Sequence, residues 1–496
     1  MTAATPMTLK ALLAGIAETD LDVTVDALSA DSRALKAGDV FVALRGHTVD
    51  GRSFLPAAAE AGAAAALVED ELIEDAPGLP SVVVPGLRGH LGELASRLFG
   101  NPSRDMHVMA VTGTNGKTTV SHLYAQLLRA SGEQCGVIGT LGASLDGAAA
   151  EAANTTPDPV SLQSTLAAWS ESGVRHLGME ASSHALVQGR LAGLEVDVAV
   201  FTNLTRDHLD YHGSMEAYGD AKAQLFLLPS VRVAVVNGDD AFSDALRQRL
   251  PATVRLMTIT AGETESTAAG DGDTNVSIEN LQQSVEGLSF DLAGPWGRVH
   301  IASTLLGAFN AHNLACAIAA AFEAGIAMDA LVAAVPTLAA VPGRMEPLRT
   351  DGAPLVVIDY AHTPDALRQV AAAVRAQCDG SLCVVFGCGG DRDRGKRPLM
   401  AQAVSQFADR AVITSDNPRS EDPLAIIRDI EEGMSAPYAV CEDRGAAIAQ
   451  AIKETGAGDC VLVAGKGHED YQIVGDRRLH FSDRECAIEV LEALAA

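Results

Sequence analysis

The chain has 496 residues, too many for one hydrophobic core, and this length predicts two to four domains. Hydrophobic residues make up 48% of the chain and aromatic residues 4%, a composition typical of a folded globular protein and not of a disordered one. The 36 basic and 64 acidic residues give a formal net charge of −28, which disfavours nucleic acid and anionic membranes as partners. An anionic substrate would therefore need basic residues that are concentrated locally.

The N-terminal segment and the cysteines both indicate a cytoplasmic protein. The first apolar run is short and soon interrupted by Glu18 and Asp20, unlike a signal peptide or a membrane helix. The eight cysteines are scattered and form no Cys-x-x-Cys pair, so free thiols in a reducing compartment are expected. Cys383 and Cys388 flank a glycine turn, but they lack the further ligands of a zinc site and are interpreted as structural.

The first block, residues 1–102, predicts a small α/β domain. A strand-like run, DVFVAL, precedes an alanine-rich helix that begins near Ser53, and a second apolar run, AAALV, follows it. The helix LRGHLGELASRLFG closes the block before the breaker NPS.

The second block, residues 103–340, opens with an apolar strand, the turn TGTNGKTT and a helix with apolar positions at helical spacing. The strand-like runs VRHLGM, VDVAVF and VRVAVV then alternate with helices, which predicts a parallel sheet. Residues 262–296 are rich in Gly, Thr, Ser, Asp and Glu, and we interpret them as loops and polar β-structure at the rim of the domain.

TGTNGKTT is the strongest chemical signal in the sequence. Its glycines let backbone N–H groups surround phosphate oxygens, while Lys117 can reach the β- and γ-phosphates and Thr118 can bind Mg²⁺. The motif departs from the usual P-loop pattern, because its first glycine position is Val111. The strand before it and the helix after it favour an ATP site over a chance glycine-rich turn.

Three polar residues of the second block have an ordinary structural explanation beside a functional one. Glu180 ends a strand, where it could hold a metal near the P-loop, but such a carboxylate is more often a solvated strand end. His208 alone would be explained by a local hydrogen bond, and Lys222 alone by a solvated helix face. The residues by themselves assign no function to these three positions.

The third block, residues 341–496, repeats strand, turn and helix. Ligands of such sheets bind at the carboxyl ends of strands, where Asp359, GCGGDRD, DNPR and GKGHED are found. One loop also concentrates positive charge suited to an anionic substrate, although a solvated charged loop is the alternative. Its basic residues are Arg392, Arg394, Lys396 and Arg397. A second, carboxylate-bearing substrate is therefore expected here.

Ten segments, taken together, resemble the Mur ligase family from about Asp31 to the C-terminus. In chain order they are VTGTNGKTT, NTTPD, MEASSHALVQGR, FTNLTRDHLDYHG, GAFNAHN, GRME, DYAHTPDAL, FGCGGDRDRGKRPLM, SDNPRSEDP and AGKGHEDYQ. The resemblance implies an α/β protein of three domains: an N-terminal UDP-substrate domain, a central P-loop ATPase-like domain with a parallel sheet, and a C-terminal Rossmann-like domain that binds an amino acid.

The resemblance also implies an ATP-dependent amide ligation in peptidoglycan synthesis. ATP would convert the D-glutamate carboxylate of UDP-N-acetylmuramoyl-L-alanyl-D-glutamate into an acyl phosphate, which the amine of meso-2,6-diaminopimelate would attack. The implied partners are these two substrates, ATP and Mg²⁺, with neither nucleic acid nor a membrane, and the enzyme is expected to be a monomer.

The resemblance to the family also implies which residues form the binding sites. The implied ATP-binding residues are Gly113, Thr114, Asn115, Gly116, Lys117, Thr118, Thr119, Asn310 and Arg344, with Asp359 and His362 on the facing rim. The catalytic residues are Lys117, Glu180, His208 and Lys222, and the Mg²⁺ ligands are Thr118, Glu180, His208 and Lys222, the last carbamylated by CO₂ to N6-carboxylysine. The UDP-substrate residues are Ser32, His47, Thr155, Thr156, Ser182, Gln188 and Arg190. The diaminopimelate residues are Arg392, Asp416, Asn417, Pro418, Arg419, Gly465 and Glu469.

Several alternatives are distinguished by particular features. The lysine-adding ligase of the same family is disfavoured by DNPR, and folylpolyglutamate synthase by DNPR and the UDP-substrate motifs. A non-catalytic nucleotide switch is disfavoured because all four expected catalytic residues are present, and a Rossmann dehydrogenase would have to bind nicotinamide. Arg419 alone would be explained by an ion pair with Glu421 or Asp422. The segment VPGR, residues 341–344, is expected to be a hinge between the second and third blocks.

Overall fold

The computed structural model describes residues 7–46, 49–71, 78–145, 154–262 and 272–495. Its three main sheets have four, ten and six strands and follow one another along the chain. Each sheet is covered by helices, as expected for three α/β domains. Among the described residues, no helix has both the length and the apolarity that crossing a bilayer would require.

The N-terminal unit is a small parallel sheet with helices on its faces. Its elements are β1 (Met7–Thr8), α1 (Leu9–Leu12), β2 (Thr24–Val25), β3 (Leu28–Ser29), β4 (Val40–Ala43), α2 (Leu55–Glu60), β5 (Ala65–Glu69), β6 (Ser81–Val84) and α3 (Leu87–Leu98). The predicted strands DVFVAL and AAALV are β4 and β5, the two central strands of the order β3-β4-β5-β6. Residues 40–43 of β4 and 65–68 of β5 are apolar and buried because both faces of the sheet are covered.

The central unit is a ten-stranded sheet that is mainly parallel. Its first elements are β7 (His107–Thr112), α4 (Lys117–Ala130), β8 (Cys135–Gly139), β9 (Gly142–Ser144), α5 (Pro159–Glu171), β10 (His176–Glu180), α6 (Ser183–Val187), β11 (Val198–Phe201), α7 (Leu209–His212) and α8 (Met215–Ala223). The remaining elements are β12 (Val233–Asn237), α9 (Phe242–Arg247), β13 (Arg255–Ala261), β14 (Thr274–Ser284), β15 (Gly287–Gly294), β16 (Gly297–Ser303), α10 (Phe309–Glu323) and α11 (Met328–Ala334).

Strand β7 lies between β10 and β11 in this sheet, and all three run parallel. The carboxyl ends of these strands, with the P-loop motif, Glu180 and Thr202, are therefore neighbours. In its described part, the polar segment at residues 262–296 extends one side of the sheet: β14 pairs in parallel with β13, and β15 pairs antiparallel with β14. This agrees with the predicted β-structure at the rim. Residues 263–271 lie outside the described residues.

The C-terminal unit is a six-stranded sheet of Rossmann-like topology. Its elements are β17 (Glu346–Leu348), β18 (Leu355–Asp359), α12 (Pro364–Gln377), β19 (Leu382–Phe386), α13 (Lys396–Ser405), β20 (Arg410–Ile413), α14 (Pro423–Glu431), β21 (Tyr438–Val440), α15 (Arg444–Lys453), β22 (Cys460–Ala464), β23 (Tyr471–Val474), β24 (Arg477–His480) and α16 (Asp483–Ala495). The strand order β17-β18-β22-β19-β20-β21 places GKGHED between Asp359 and GCGGDRD, with DNPR on the next strand.

Short 3-10 turns connect several of these elements. They span Gly51–Phe54, Pro102–Asp105, Gln224–Leu227 and Val335–Thr337. All eight cysteines are free, and Cys383 and Cys388 are buried within the C-terminal unit.

The C-terminal unit contains a completely buried ion pair. Arg444 and Asp483 are both 0% exposed, and the guanidinium donates two hydrogen bonds to the carboxylate, of 2.6 and 2.7 Å. Arg444 also donates to the backbone oxygens of Ala464 at 3.0 Å and of Ser415 at 3.3 Å. The pair therefore connects α15 and α16 to the carboxyl ends of β20 and β22, where the expected acceptor loops begin.

We expect Arg444→Met to destabilise the C-terminal unit by about 3–5 kcal/mol, because it leaves the Asp483 carboxylate buried without a partner. Differential scanning calorimetry measures this loss as a lower melting temperature. The double variant Arg444→Met/Asp483→Leu removes both charges and should recover much of the lost stability. An unchanged melting temperature in the single variant would show that the Asp483 carboxylate does not need this partner.

Candidate active site

The loop after β7 is held in an open curve by the end of β11. Gly113 has φ 151° and Gly116 has φ 88°, a region that favours glycine. A Cβ on Gly113 would lie 1.8 Å from Oγ1 of Thr202. That hydroxyl donates to the backbone oxygen of Asn115 at 2.6 Å, while the backbone N–H of Asn115 donates to Asn203 Oδ1 at 2.9 Å. The loop conformation therefore depends on glycine and on contacts with a neighbouring strand end.

Lys117 curves back over this loop. Its Nζ donates to the backbone oxygens of Gly113 and Thr114, both at 2.9 Å. Burial lowers the pKa of Lys117, and the Glu180 carboxylate partly offsets that effect. No ion pair to Lys117 is present within the described ranges, so phosphate oxygens could accept its hydrogen bonds without displacing a carboxylate.

Glu180 is completely buried, which rules out a solvated strand end. Its carboxylate accepts hydrogen bonds from the backbone N–H and from the hydroxyl of Thr140, at 2.8 and 3.1 Å. Gly139 has no space for a side chain, because a Cβ there would lie 2.2 Å from Oε1 of Glu180. The carboxylate is therefore oriented before any ligand binds, at the edge of the same cavity as the P-loop.

Lys222 is 1% exposed, so the solvated helix face considered for it is wrong. Its Nζ lies 4.1 Å from the centre of the Tyr218 ring. Burial lowers the pKa of Lys222 well below its usual value, and the charge of Lys117 adds to this effect. Lys222 lies beside the cavity and is not among the residues that line it.

His208 precedes α7 with a positive φ of 52°. Its Nε2 lies 3.4 Å from Oδ2 of Asp207, and its ring is 4.9 Å from that of His184. His212, in the last turn of α7, packs against His184 as well and makes a hydrogen bond of 2.9 Å to Ser183. The sequence motif singled out His208, but not the ring cluster around it.

The linker to the C-terminal unit joins the two sheets at their carboxyl ends. Arg344 donates to Oγ1 of Thr118 at 3.4 Å and its guanidinium lies 4.5 Å from the centre of the Tyr360 ring. The carboxylate of Asp359 accepts from the backbone N–H groups of Met345 and Ala361 at 2.8 and 2.7 Å. Burial raises the pKa of Asp359, and Arg344 partly offsets this effect.

A cavity of about 530 Å³ lies where these elements meet. It is lined by the central unit and, from the C-terminal unit, by residues that include Asp359, Tyr360 and His362. Of the expected ATP-binding residues, it brings together Thr114, Asn115, Gly116, Lys117, Thr118, Thr119, Asn310 and Arg344. Its size and polar lining suit a nucleotide.

Five of the expected UDP-substrate residues also line this cavity, namely Thr155, Thr156, Ser182, Gln188 and Arg190. Arg190 donates to the backbone oxygen of Thr156 at 2.8 Å and to Oε1 of Gln188 at 2.6 Å. Ser32 follows β3 in the N-terminal unit and does not line the cavity. His47 lies outside the described residues.

The expected diaminopimelate residues lie away from the cavity, on the neighbouring strand ends. Arg419 has φ 51°, and its backbone N–H donates to Ile473 of β23 at 3.0 Å. Its Nη1 donates to the backbone oxygen of Gly390 at 2.9 Å. Within the described chain, no carboxylate forms an ion pair with Arg419, so the alternative of pairing with Glu421 or Asp422 is wrong. Arg392 donates a 3.2 Å hydrogen bond to the backbone oxygen of Asp391 and forms no ion pair among the residues that the structure describes.

One part of the sequence interpretation needs correction. Arg397, counted among the cations for an anionic substrate, is 0% exposed and lies 2.8 Å from Glu421 and 2.7 Å from Asp429. Arg394 extends toward the same two carboxylates, at 3.4 and 3.6 Å. Glu421 also accepts from the backbone N–H of Asp391 at 2.6 Å, so this ion-pair network joins the loop of Arg392 to the DNPR turn.

Gly343 in VPGR is tightly packed, with φ 68° and a Cβ position 2.2 Å from the backbone nitrogen of His468. Its N–H donates to Glu346 at 2.8 Å. Proline cannot adopt this φ and has no N–H, so a proline here would disrupt the contact and would not test a hinge. The hinge itself stays a prediction.

The oxygen donors at this site suit Mg²⁺, an ion that proteins seldom bind with side chains alone. Across the described ranges, no group of three or more His, Cys, Asp or Glu residues could hold a metal ion. Mg²⁺ usually keeps several waters and binds one or two carboxylates together with substrate phosphates. The oriented carboxylate of Glu180 and the hydroxyl of Thr118 offer donors of this kind, and both line the cavity.

The fold and site define an enzyme of three α/β domains with a nucleotide cavity between the central and C-terminal sheets. Three Mur ligase domains match the chain: the Mur ligase family catalytic domain at residues 24–98, the middle domain at residues 111–321 and the glutamate ligase domain at residues 343–467. The chain belongs to the Mur ligase family.

Individual relatives are similar over nearly the whole chain. The UDP-N-acetylmuramoyl-L-alanyl-D-glutamate--2,6-diaminopimelate ligase of Ectopseudomonas mendocina (strain ymp) is 46% identical over 495 residues, 99% of each chain. The Vibrio cholerae protein of the same name is 41% identical over 94% of each chain. A solved structure with that name superimposes with a TM-score of 0.74 at 38% identity, over 99% of this chain and 100% of the other. MurF from Acinetobacter baumannii, at 18% identity and TM-score 0.64 over 100% and 99%, shares the fold.

We expect Gly113→Ala to lower the affinity for ATP by at least about tenfold, because the new methyl group would displace the Thr202 hydroxyl that supports the loop. Isothermal titration with ATP measures the change. Gly132→Ala is the matched control, since Gly132 also has positive φ, 93°, but no atom within 4 Å of the added Cβ. Equal affinities in both variants and the wild type would show that the close contact does not support the loop.

Proposed function

We propose that this chain is an ATP-dependent ligase that joins meso-2,6-diaminopimelate to UDP-N-acetylmuramoyl-L-alanyl-D-glutamate in peptidoglycan synthesis. Support comes from the relatives that bear this name, with 41–46% identity over nearly the full chain. The observation that carries the acceptor assignment is the DNPR turn: among the described residues Arg419 forms no ion pair with a carboxylate, and Asn417 of the same turn contacts Glu469. The enzyme is proposed to be cytoplasmic and monomeric, with domains at residues 1–102, 103–340 and 341–496.

The reaction begins with a carboxylate, which is a poor electrophile at neutral pH. Transfer of the γ-phosphoryl group of ATP to the D-glutamate carboxylate gives an acyl phosphate and ADP. The diaminopimelate amine then attacks the acyl carbon, loses a proton and expels phosphate, forming the amide. The chain supplies the cations that offset charge during transfer, because Lys117 and Arg344 both line the nucleotide cavity.

Thr118 and Glu180 would hold one Mg²⁺, His208 would lie near a second ion, and the carbamate of Lys222 would offer further oxygens to Mg²⁺. When bound, it would neutralise charge on the phosphate oxygens. The carbamate is chemically consistent with the surroundings of Lys222, because an amine must be neutral to attack CO₂ and burial lowers the pKa of this one. A carbamate also replaces a cation that would repel Mg²⁺ by an anion that attracts it.

Phosphate release measured with ATP and the UDP-dipeptide tests the function directly. We expect release to depend on meso-diaminopimelate, with L-lysine a far poorer acceptor, and mass spectrometry should detect the tripeptide product. Phosphate release that requires no acceptor would contradict a ligase, and an equal rate with L-lysine would contradict the acceptor assignment.

Arg419→Ala should lower kcat/KM for meso-diaminopimelate by about 100- to 1000-fold, because a guanidinium fork that binds the distal carboxylate would be lost. Affinities for ATP and the UDP-dipeptide should change little, since Arg419 lies away from their cavity. Arg428→Ala is the matched control, because Arg428 belongs to the same unit and its side chain is 64% exposed. If Arg419→Ala still prefers meso-diaminopimelate over L-lysine as the wild type does, the turn does not select the acceptor.

Lys222→Ala should be inactive and partly rescued by acetate, which can replace the carbamate oxygens. In the wild type, incubation with ¹³C-bicarbonate should give a carbamate NMR signal that is absent from the variant. Lys453→Ala, which removes an exposed lysine of the C-terminal unit, serves as the control and should keep both signal and activity. Full activity in CO₂-depleted buffer, with no carbamate signal, would refute the modification.

A further inference from the structure

A completely buried lysine lies behind the expected acceptor site. Lys466, in the GKGHED loop after β22, is 0% exposed. Its Nζ donates to Oε2 of Glu469 at 3.0 Å and to Oδ1 of Asn417 at 3.3 Å. The same nitrogen lies 5.4 Å from the centre of the Tyr471 ring. Lys466 therefore contacts three side chains. Because it is fully buried, it does not reach the surface where a substrate would bind.

The contacts of Lys466 restrict how Glu469 can act. Oε2 of Glu469 accepts hydrogen bonds from Lys466 and from Nδ2 of Asn417, the latter at 3.0 Å. In the described part of the chain, the other oxygen, Oε1, accepts no hydrogen bond. One oxygen is therefore used to hold the side chain in place, and the second is available to a ligand.

Asn417 is oriented by the same contacts. Its Oδ1 accepts from Lys466 and from the backbone N–H of Ile473 at 2.9 Å, which sets the orientation of the amide. One N–H of Nδ2 donates to Glu469, so a single N–H is left for a substrate. Lys466, Glu469 and Asn417 therefore form one unit that includes side chains from the loops after β22 and β20, two strands that lie on either side of β19.

We propose that Lys466 is a positioning residue for the acceptor amino acid. Lys466 holds Glu469 so that Oε1 faces the distal ammonium of a diamino dicarboxylate substrate. Arg419 and Arg392 bind the distal carboxylate of the same substrate. The inference rests on the proposed function and adds a residue that does not touch the substrate.

Two acceptors separate positioning from simple stabilisation. 2-Aminopimelate keeps the reacting centre and the distal carboxylate of meso-diaminopimelate but lacks the distal amine. Lys466→Met should therefore lower kcat/KM for meso-diaminopimelate by about 100-fold and that for 2-aminopimelate by less than about threefold. KM values for ATP and the UDP-dipeptide should be unchanged, and Lys453→Met should behave as the wild type with both acceptors. Equal losses for the two acceptors in Lys466→Met would overturn the proposal.

A double-mutant cycle tests whether Lys466 acts through Glu469. Glu469→Gln alone should lower kcat/KM for meso-diaminopimelate. Adding Lys466→Met to that variant should then lower kcat/KM little further. Losses that simply multiply would show that Lys466 acts independently and would overturn the proposal. If Lys466→Met does not fold, Lys466→Gln retains a donor without the charge and should show the same acceptor pattern with a smaller loss. No turnover of the wild type with either acceptor would instead refute the proposed function.

Discussion

The structure depends most on the contact between the linker residue Arg344 and the two sheets. Its guanidinium bonds to Thr118 of the central unit and lies over Tyr360 of the C-terminal unit. The next backbone N–H, that of Met345, is held by the buried carboxylate of Asp359. Loops at the carboxyl ends of parallel strands form binding sites, and this contact makes the loops of two sheets face one cavity. The P-loop of the central unit and the loop after β18 of the C-terminal unit therefore line the same cavity.

In a chain with net charge −28, the basic side chains fall into two groups. Some stabilise the fold through ion pairs, and others remain able to bind anions. The side chains of Arg397 and Arg444 are fully buried and form ion pairs with carboxylates, so they hold loops in place and do not face a ligand. Lys117 and Arg419 instead donate to backbone oxygens, which are weaker partners than a phosphate or a carboxylate. The second kind of contact keeps a side chain ordered while leaving most of its charge available.

Three lysines, one partly buried and two fully buried, illustrate how the surroundings decide what an amine does. Lys117 lies against backbone oxygens at a cavity edge, where a phosphate can bind it. Lys222 lies against an aromatic ring, and burial lowers its pKa so that the neutral amine is favoured. Lys466 donates hydrogen bonds to a carboxylate and to an amide oxygen, so its contacts hold two other side chains in place. The three positions share a residue type, and their surroundings suit them to different chemistry.

The sequence by itself determined the fold class, the strands β4, β5, β7, β10 and β11, and the phosphate-binding loop. These features depend on local signals: apolar runs, helical spacing and glycines that a tight turn requires. Motif resemblance also indicated most of the residues that line the cavity, although His47 lies outside the described residues and Ser32 does not line it.

Only the tertiary structure decided which polar residues are buried and what they contact. Arg397 looked like a substrate-binding cation because its carboxylate partners, Glu421 and Asp429, are 24 and 32 residues away along the chain. Lys466 attracted no attention in the sequence, since one of its partners, Asn417, lies 49 residues away on another strand end. The close packing of Gly343 against the GKGHED loop could not be predicted from the sequence either. Spacing along a chain specifies local backbone geometry, whereas burial and charge pairing depend on segments that meet only when the sheets have formed.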